Sequence, residues 1–208
     1  MTRVSLATLK PWIAIGIAFV LMLVMHAPAL GDMLTEVKSG KIIVHSIPAR
    51  KGPDTGRAIG MIEAPTRVVV DILSRFDRYK DFVPRIVGSR KVKDGKYVVE
   101  SNLPWPVKRA WVYVGVTRKD SGRTAFLRWR MLNGTFRAYE GMAWIQPIDA
   151  TRSLLTYQML AVPKTSAPDS MISKGLRSAT KSMIEAIRKQ AAKVLARRPA
   201  KGRRVAAQ

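Results

Sequence analysis

The stretch DSMISKGLRSATKSMIEAIRKQAAKVL, residues 169–195, decides how the rest of the chain must fold. It follows a loop rich in breakers, Val162-Pro163-Lys164-Thr165-Ser166-Ala167-Pro168, and meets no proline until Pro199. Its apolar residues Ile172, Leu176, Ala179, Met183, Ile187, Ala191 and Val194 are spaced so that they draw one stripe along a helix. Lys174, Arg177, Lys181, Glu185 and Arg188 take the opposite face. Asp169 or Ser170 is placed to cap the first turn, because a short side-chain oxygen accepts the orphan N–H groups there. A helix this long with one apolar face needs a surface to lie on. The strands just before it are the candidate of matching size, which predicts an α+β fold with a long helix across an antiparallel sheet.

Working back from the helix, five segments read as strands: 96–103, 108–117, 124–132, 137–145 and 153–161. Between them stand Pro104-Trp105-Pro106, Asp120-Ser121-Gly122, Asn133-Gly134 and Pro147-Ile148-Asp149, which favour tight turns. Links this short imply antiparallel neighbours, because a parallel crossover takes about a dozen residues or more. Residues 57–63 read as a further strand, stopped by Ala64-Pro65, and Val68, Val69, Ile72, Leu73 and Phe76 have helical spacing. Tyr79, Phe82, Val83 and Pro84 lie on a second short helix or turn. Residues 35–46 read as a hairpin turning at Ser39-Gly40, followed by a Gly/Pro/Lys-rich loop over 48–56.

The chain has 208 residues, 47% of them hydrophobic, which suits one domain with a real core and extra ends. Its formal charge of +23 selects anionic partners, either lipid surfaces or nucleic acids. The N-terminus decides between them. Arg3 and Lys10 precede an apolar run over 12–25, and His26-Ala27-Pro28-Ala29-Leu30-Gly31 follows. A basic start, an apolar run, a helix-breaking proline and small residues predict a secretory signal cleaved after Gly31. The run is shorter than the roughly 20 residues of a membrane span. An uncleaved anchor is the alternative, and either one exports the remainder to the periplasm or beyond. Nucleic acid is then the minority partner, and an anionic membrane the favoured one.

Chemistry-bearing motifs are scarce. No cysteine occurs, so there is no disulfide, thiolate or lipobox thiol. His45 is the sole histidine beyond the signal segment, and HExxH, CxxC, Gly-x-Ser-x-Gly and phosphate-loop patterns do not occur. No catalytic residue, metal ligand or cofactor is nominated. Glu63, Glu100 or Glu140 would serve as acid or base only if buried.

A binding cavity has more support. Period-two alternation on strand 124–132 puts Thr124, Phe126, Arg128 and Arg130 toward water and Leu127, Trp129 and Met131 inward. The same alternation nominates Trp111 and Tyr113 on strand 108–117, and Tyr157 and Met159 on the last strand. With Phe82 from the short turn and Leu176 and Met183 from the helix, these residues make an apolar, methionine-bearing lining suited to a hydrophobic ligand. The alternative is a filled core. Trp105, fixed between two prolines, and Arg197, Arg198, Lys201, Arg203 and Arg204 are candidate membrane contacts. Each basic group near an anionic leaflet is worth about 1 kcal/mol.

The order of these pieces resembles the START/polyketide-cyclase/coenzyme-Q-binding superfamily. Gly60-Met61-Ile62-Glu63-Ala64-Pro65-Thr66-Arg67-Val68 resembles its first strand and "aPxxV" helix entry. Leu73-Ser74-Arg75-Phe76-Asp77-Arg78-Tyr79-Lys80-Asp81-Phe82-Val83-Pro84 resembles its "l-x-D-x-x-x-y-x-x-F-x-P" segment, with Asp77, Tyr79, Phe82 and Pro84 matching within one residue of drift. Gly141, Pro147, the strand through Tyr157, and Pro168 before the long helix resemble the family's close. Ala143 departs from it, since a tryptophan is common there, and Trp144 stands one place later. The resemblance implies a helix-grip fold, in which a curved antiparallel sheet wraps the terminal helix around an apolar cavity. It implies a hydrophobic ligand: a phospholipid, a quinone or a polycyclic isoprenoid. Entry would lie between the helix after Pro65, the turn at 82–84 and the loop before the last helix. A few members are cyclases, which would make Glu140 and Tyr157 the residues to test, and one branch includes a ribosome-associating toxin. The chain then divides into a signal segment 1–31, a START-like domain 32–196 and a basic tail 197–208 that is expected to be disordered.

Overall fold

A computed structural model describes residues 28–103 and 109–197 of the chain. Helix α1 spans Pro28–Lys38, followed by strands β1 Ile43–Ile47 and β2 Thr55–Ile62. Helix α2 Thr66–Ser74 and a 3-10 turn Phe76–Asp81 precede β3 Ile86–Lys93, β4 Lys96–Asn102, β5 Arg109–Ser121, β6 Thr124–Gly134, β7 Phe136–Pro147 and β8 Ser153–Pro163. Helix α3, Asp169–Ala196, closes the fold. The strands form one open, curved antiparallel sheet in the order β1-β2-β8-β7-β6-β5-β4-β3. This is the predicted α+β helix-grip architecture.

Small residues on β2 decide where α3 lies. Gly56, Ala58 and Gly60 face the helix, and a Cβ at Gly56 would stand 2.7 Å from the Leu176 carbonyl oxygen. The helix backbone therefore rides directly on β2. Ile184, Ile187 and Ala191, each at most 1% exposed, fill the C-terminal half of the contact. From α3, Arg188 donates through Nε to the Met61 carbonyl (2.8 Å) and through Nη1 to the Gly40 carbonyl (3.0 Å). Arg177 donates to Ser46 Oγ at 2.9 Å. Both arginines were expected on the solvent face; instead their long stems cross the edge of the grip and satisfy oxygens there.

Other details correct the sequence reading. The expected hairpin at 35–46 has a helix for its first arm. Met33 and Val37 are four residues apart on α1, and they pack with Ile59, Met61 and Leu154 on the outer face of the sheet. The turn at Ser39-Gly40 is real but ends a helix, with Gly40 at φ 92°. The cleavage point expected after Gly31 falls within the range of α1, and residues 1–27 lie outside the described residues. Neither Asp169 nor Ser170 caps α3. The N-cap is Pro168, whose carbonyl accepts the N–H groups of Met171 and Ile172. Ser173 ties that first turn to the β1–β2 loop, donating to the Asp169 carbonyl and accepting the Asp54 N–H. Strand β3 went unread because it is a charged edge strand, with exposed Arg90, Lys91 and Lys93 where alternation would look for apolar residues.

Candidate functional site

The inner face of the sheet is apolar, and its centre is filled. Trp129 lies across Gly141, where a Cβ would collide with the indole. Its ring centroid is 5.2 Å from that of Tyr157 and 5.8 Å from that of Phe76. Phe76 in turn stacks on Tyr79 at 4.5 Å. Trp129, Tyr157 and Phe76 are each at most 2% exposed. Leu127 is 1% exposed in the same block, and Met131 packs against it from the side. Alternation therefore assigns these side chains to the inward face, where they form packed core.

Space remains at the other end of the grip. A cavity of about 400 Å³ lies under the N-terminal half of α3, between Met171 and Met183. Its floor is Met159 and Ala161 of β8 with Phe136 and Tyr139 of β7. The segment Val83-Pro84-Arg85-Ile86, with Ser101 and Leu103 at the end of β4, makes one side. Pro163, Thr165 and Ala167, from the loop before α3, make another. Entry was expected between the helix after Pro65, the turn at 82–84 and the loop before the last helix; Val83, Pro84 and that loop line the cavity, whereas no residue of α2 does. Ser178 and Ser182 add hydroxyls from the helix.

Of the nominated lining residues, Met159, Leu176 and Met183 meet in this cavity. Phe82 is half-buried beside it, edge-on to Tyr79 at 5.6 Å. Trp111 and Tyr113 correct the expectation, because they stand on the outer face. Ala110, Val112 and Val114 occupy the inward positions of β5, each at most 1% exposed, while Trp111 is 40% exposed. Both faces of β5 carry apolar residues, so alternation alone could not choose between them; the smaller set, Ala110, Val112 and Val114, is the one that enters the core. Glu140 is exposed on β7 and Tyr157 is core, so neither residue nominated by the cyclase reading reaches the cavity. Arg197 is exposed at the end of α3; Trp105, Arg198, Lys201, Arg203 and Arg204 lie outside the described residues. Sequence reasoning missed Arg85, Ser101 and Tyr139, which only the strand ends and register bring together; Ala161 lies on the same alternating face of the last strand as Met159.

The electrostatics suit an uncharged interior with one charged edge. Tyr79 and Tyr139 line the cavity, and burial pushes both phenols up, Tyr139 to about 12. They stay neutral at physiological pH, and Tyr79 Oη donates to the Leu73 carbonyl at 2.9 Å. Arg85 is the one charged residue among the described residues of the lining. His45, on outer strand β1, takes no part.

The backbone fold superposes on known START structures. A STAR-related lipid transfer protein from Xanthomonas axonopodis superposes with a TM-score of 0.64 at 19% identity, covering 73% of this chain and 93% of that one. Human STARD10 gives 0.62 at 12% identity, covering 74% and 70%. A START superfamily protein from Mycobacterium smegmatis gives 0.59 at 16% identity, covering 67% and 98%. No known sequence family and no curated protein matches the chain in sequence. The likeness is therefore one of fold: the chain has the START helix-grip fold.

Proposed function

We propose that this chain is an exported, membrane-peripheral protein that binds a hydrophobic ligand beneath the N-terminal half of α3 and carries it between anionic membranes. The observation that carries the reading is the cavity of about 400 Å³ with its floor of Met159, Ala161, Phe136 and Tyr139. A space of this size falls within the ~300–1,000 Å³ typical of small-molecule sites. Desolvation of an apolar ligand there supplies the affinity, at roughly 25 cal/mol per Å² buried. The lipid-transfer description of the Xanthomonas structure agrees with it. Export rests on the apolar N-terminal run, and docking on the basic composition.

The experiment is to compare binding of a fluorescent fatty-acid analogue by the full chain and by Ala161→Trp. Ala161 lies on the cavity floor, so an indole there fills empty space rather than packed core. Excluding even ~100 Å² of ligand surface would cost about 2.5 kcal/mol, roughly a seventyfold loss of affinity. The thermal midpoint should hold or rise. Equal binding by the two proteins would place the ligand elsewhere and refute the reading.

A further inference from the structure

Resting on that reading, we infer that the cavity selects an amphiphile with a single apolar chain and an anionic head, and that Arg85 holds the head at the mouth. The depth of the cavity argues for one chain. Tyr79 lines it at 3% exposure, and behind Tyr79 the stack of Phe76, Trp129 and Tyr157 is packed core that leaves no room. About 400 Å³ lies near the lower bound for small-molecule sites, roughly 300 Å³, and a two-chain lipid carries twice the chain volume of a one-chain lipid.

The charge of the head follows from the rim. Arg85 is the one charged residue on the described lining, and no carboxylate accompanies it there. It is also the one non-glycine among the described residues with a positive φ, 66°. Such a conformation is unfavourable for a long side chain and persists where neighbours enforce it, often at ligand sites. Here the enforcing contacts are visible. The Asn102 N–H donates to the Arg85 carbonyl at 2.8 Å, and Ile86 pairs with Ser101 at the end of the β3–β4 ladder. The backbone of Arg85, an exposed residue of the lining, is thus fixed next to the strand end that brings Ser101 to the same cavity. A guanidinium presents a planar fork of donors that suits carboxylate and phosphate oxygens alike. The shared chemistry is an oxyanion on one alkyl chain, either a fatty carboxylate or a monoacyl phosphate.

The test titrates the full chain with palmitate, monopalmitoyl glycerol phosphate, hexadecanol and dipalmitoyl glycerol phosphate. The two single-chain anions should bind about tenfold or more tighter than hexadecanol, as a charge-assisted hydrogen bond predicts. Whichever of the two binds tighter identifies the source of the anion. Arg85→Gln should erase the difference between anionic and neutral heads, and Arg85→Lys should keep part of it; circular dichroism checks that both variants fold. Hexadecanol binding as tightly as palmitate, or the two-chain anion as tightly as the one-chain anions, would overturn the inference and leave the proposed function standing. Binding of none of the four would likewise overturn the inference, while the proposed function is judged separately by the Ala161→Trp comparison.

Discussion

Replacing Trp129 by alanine should destabilise the fold by about 3 kcal/mol, the lower end of the range for emptying a buried tryptophan site. The site cannot collapse easily. Trp129 is 1% exposed, Tyr157 and Phe76 hold two sides of its ring, and Gly141 offers no side chain to move into the gap. One feature pulls the cost down. Trp129 Nε1 is buried with no hydrogen-bond partner, so the native state already carries an unsatisfied donor that the alanine variant lacks. At roughly 2–4 °C per kcal/mol for a domain of this size, the thermal midpoint should fall by about 6–12 °C. Trp129→Phe keeps most of the ring, removes the orphan N–H and should stay within about 1 kcal/mol of the parent. Chemical denaturation of the three proteins checks this. A negligible loss for the alanine variant would mean that the centre of the grip is not packed as described.

The second large effect is expected at Gly56. A valine there would push its Cβ to 2.7 Å from the Leu176 carbonyl oxygen and 2.8 Å from the carbonyl carbon. Both are helix backbone, so no flexible side chain can swing aside, and α3 must lift from β2. Overpacking of this kind costs about 1–3 kcal/mol. Because Leu176 also lines the cavity, the shift should lower ligand affinity along with stability. Gly60→Ala is the milder comparison, since its nearest obstacle is the Ile184 Cγ2 methyl at 2.9 Å, a side-chain group that can turn. Denaturation midpoints of the two variants should separate accordingly. A Gly56→Val protein as stable as the parent would contradict the close approach of helix and strand.

The sequence was most legible where one physical demand dominated. The stripe from Ile172 to Ala191 could only be a helix on a surface, and α3 runs Asp169–Ala196 with that stripe largely buried. Ala179 is the exception: it faces the cavity and stays exposed because nothing fills the space beside it. The turns after β5 and β7 likewise follow their Gly, Asp and Pro signals. Reading became ambiguous where two demands were met equally well. On β5, Trp111 and Tyr113 competed with Ala110, Val112 and Val114, and burial selected the smaller set. The cavity itself was the least legible feature. Leu127, Trp129 and Tyr157 were on the correct face, but whether they line a space or fill it depends on how far α3 stands from the sheet. That distance is set by Gly56 and Gly60 on β2, far along the chain. Arg85 escaped notice because its role follows from its backbone conformation and its place beside Ser101.

Native mass spectrometry of the full chain, gently purified from a lipid-rich host and followed by extraction of whatever is bound, tests the central claim most directly. The account predicts one lipid-sized ligand per chain, apolar over most of its length. A well-folded chain that carries no such ligand and cannot be loaded with one would contradict it.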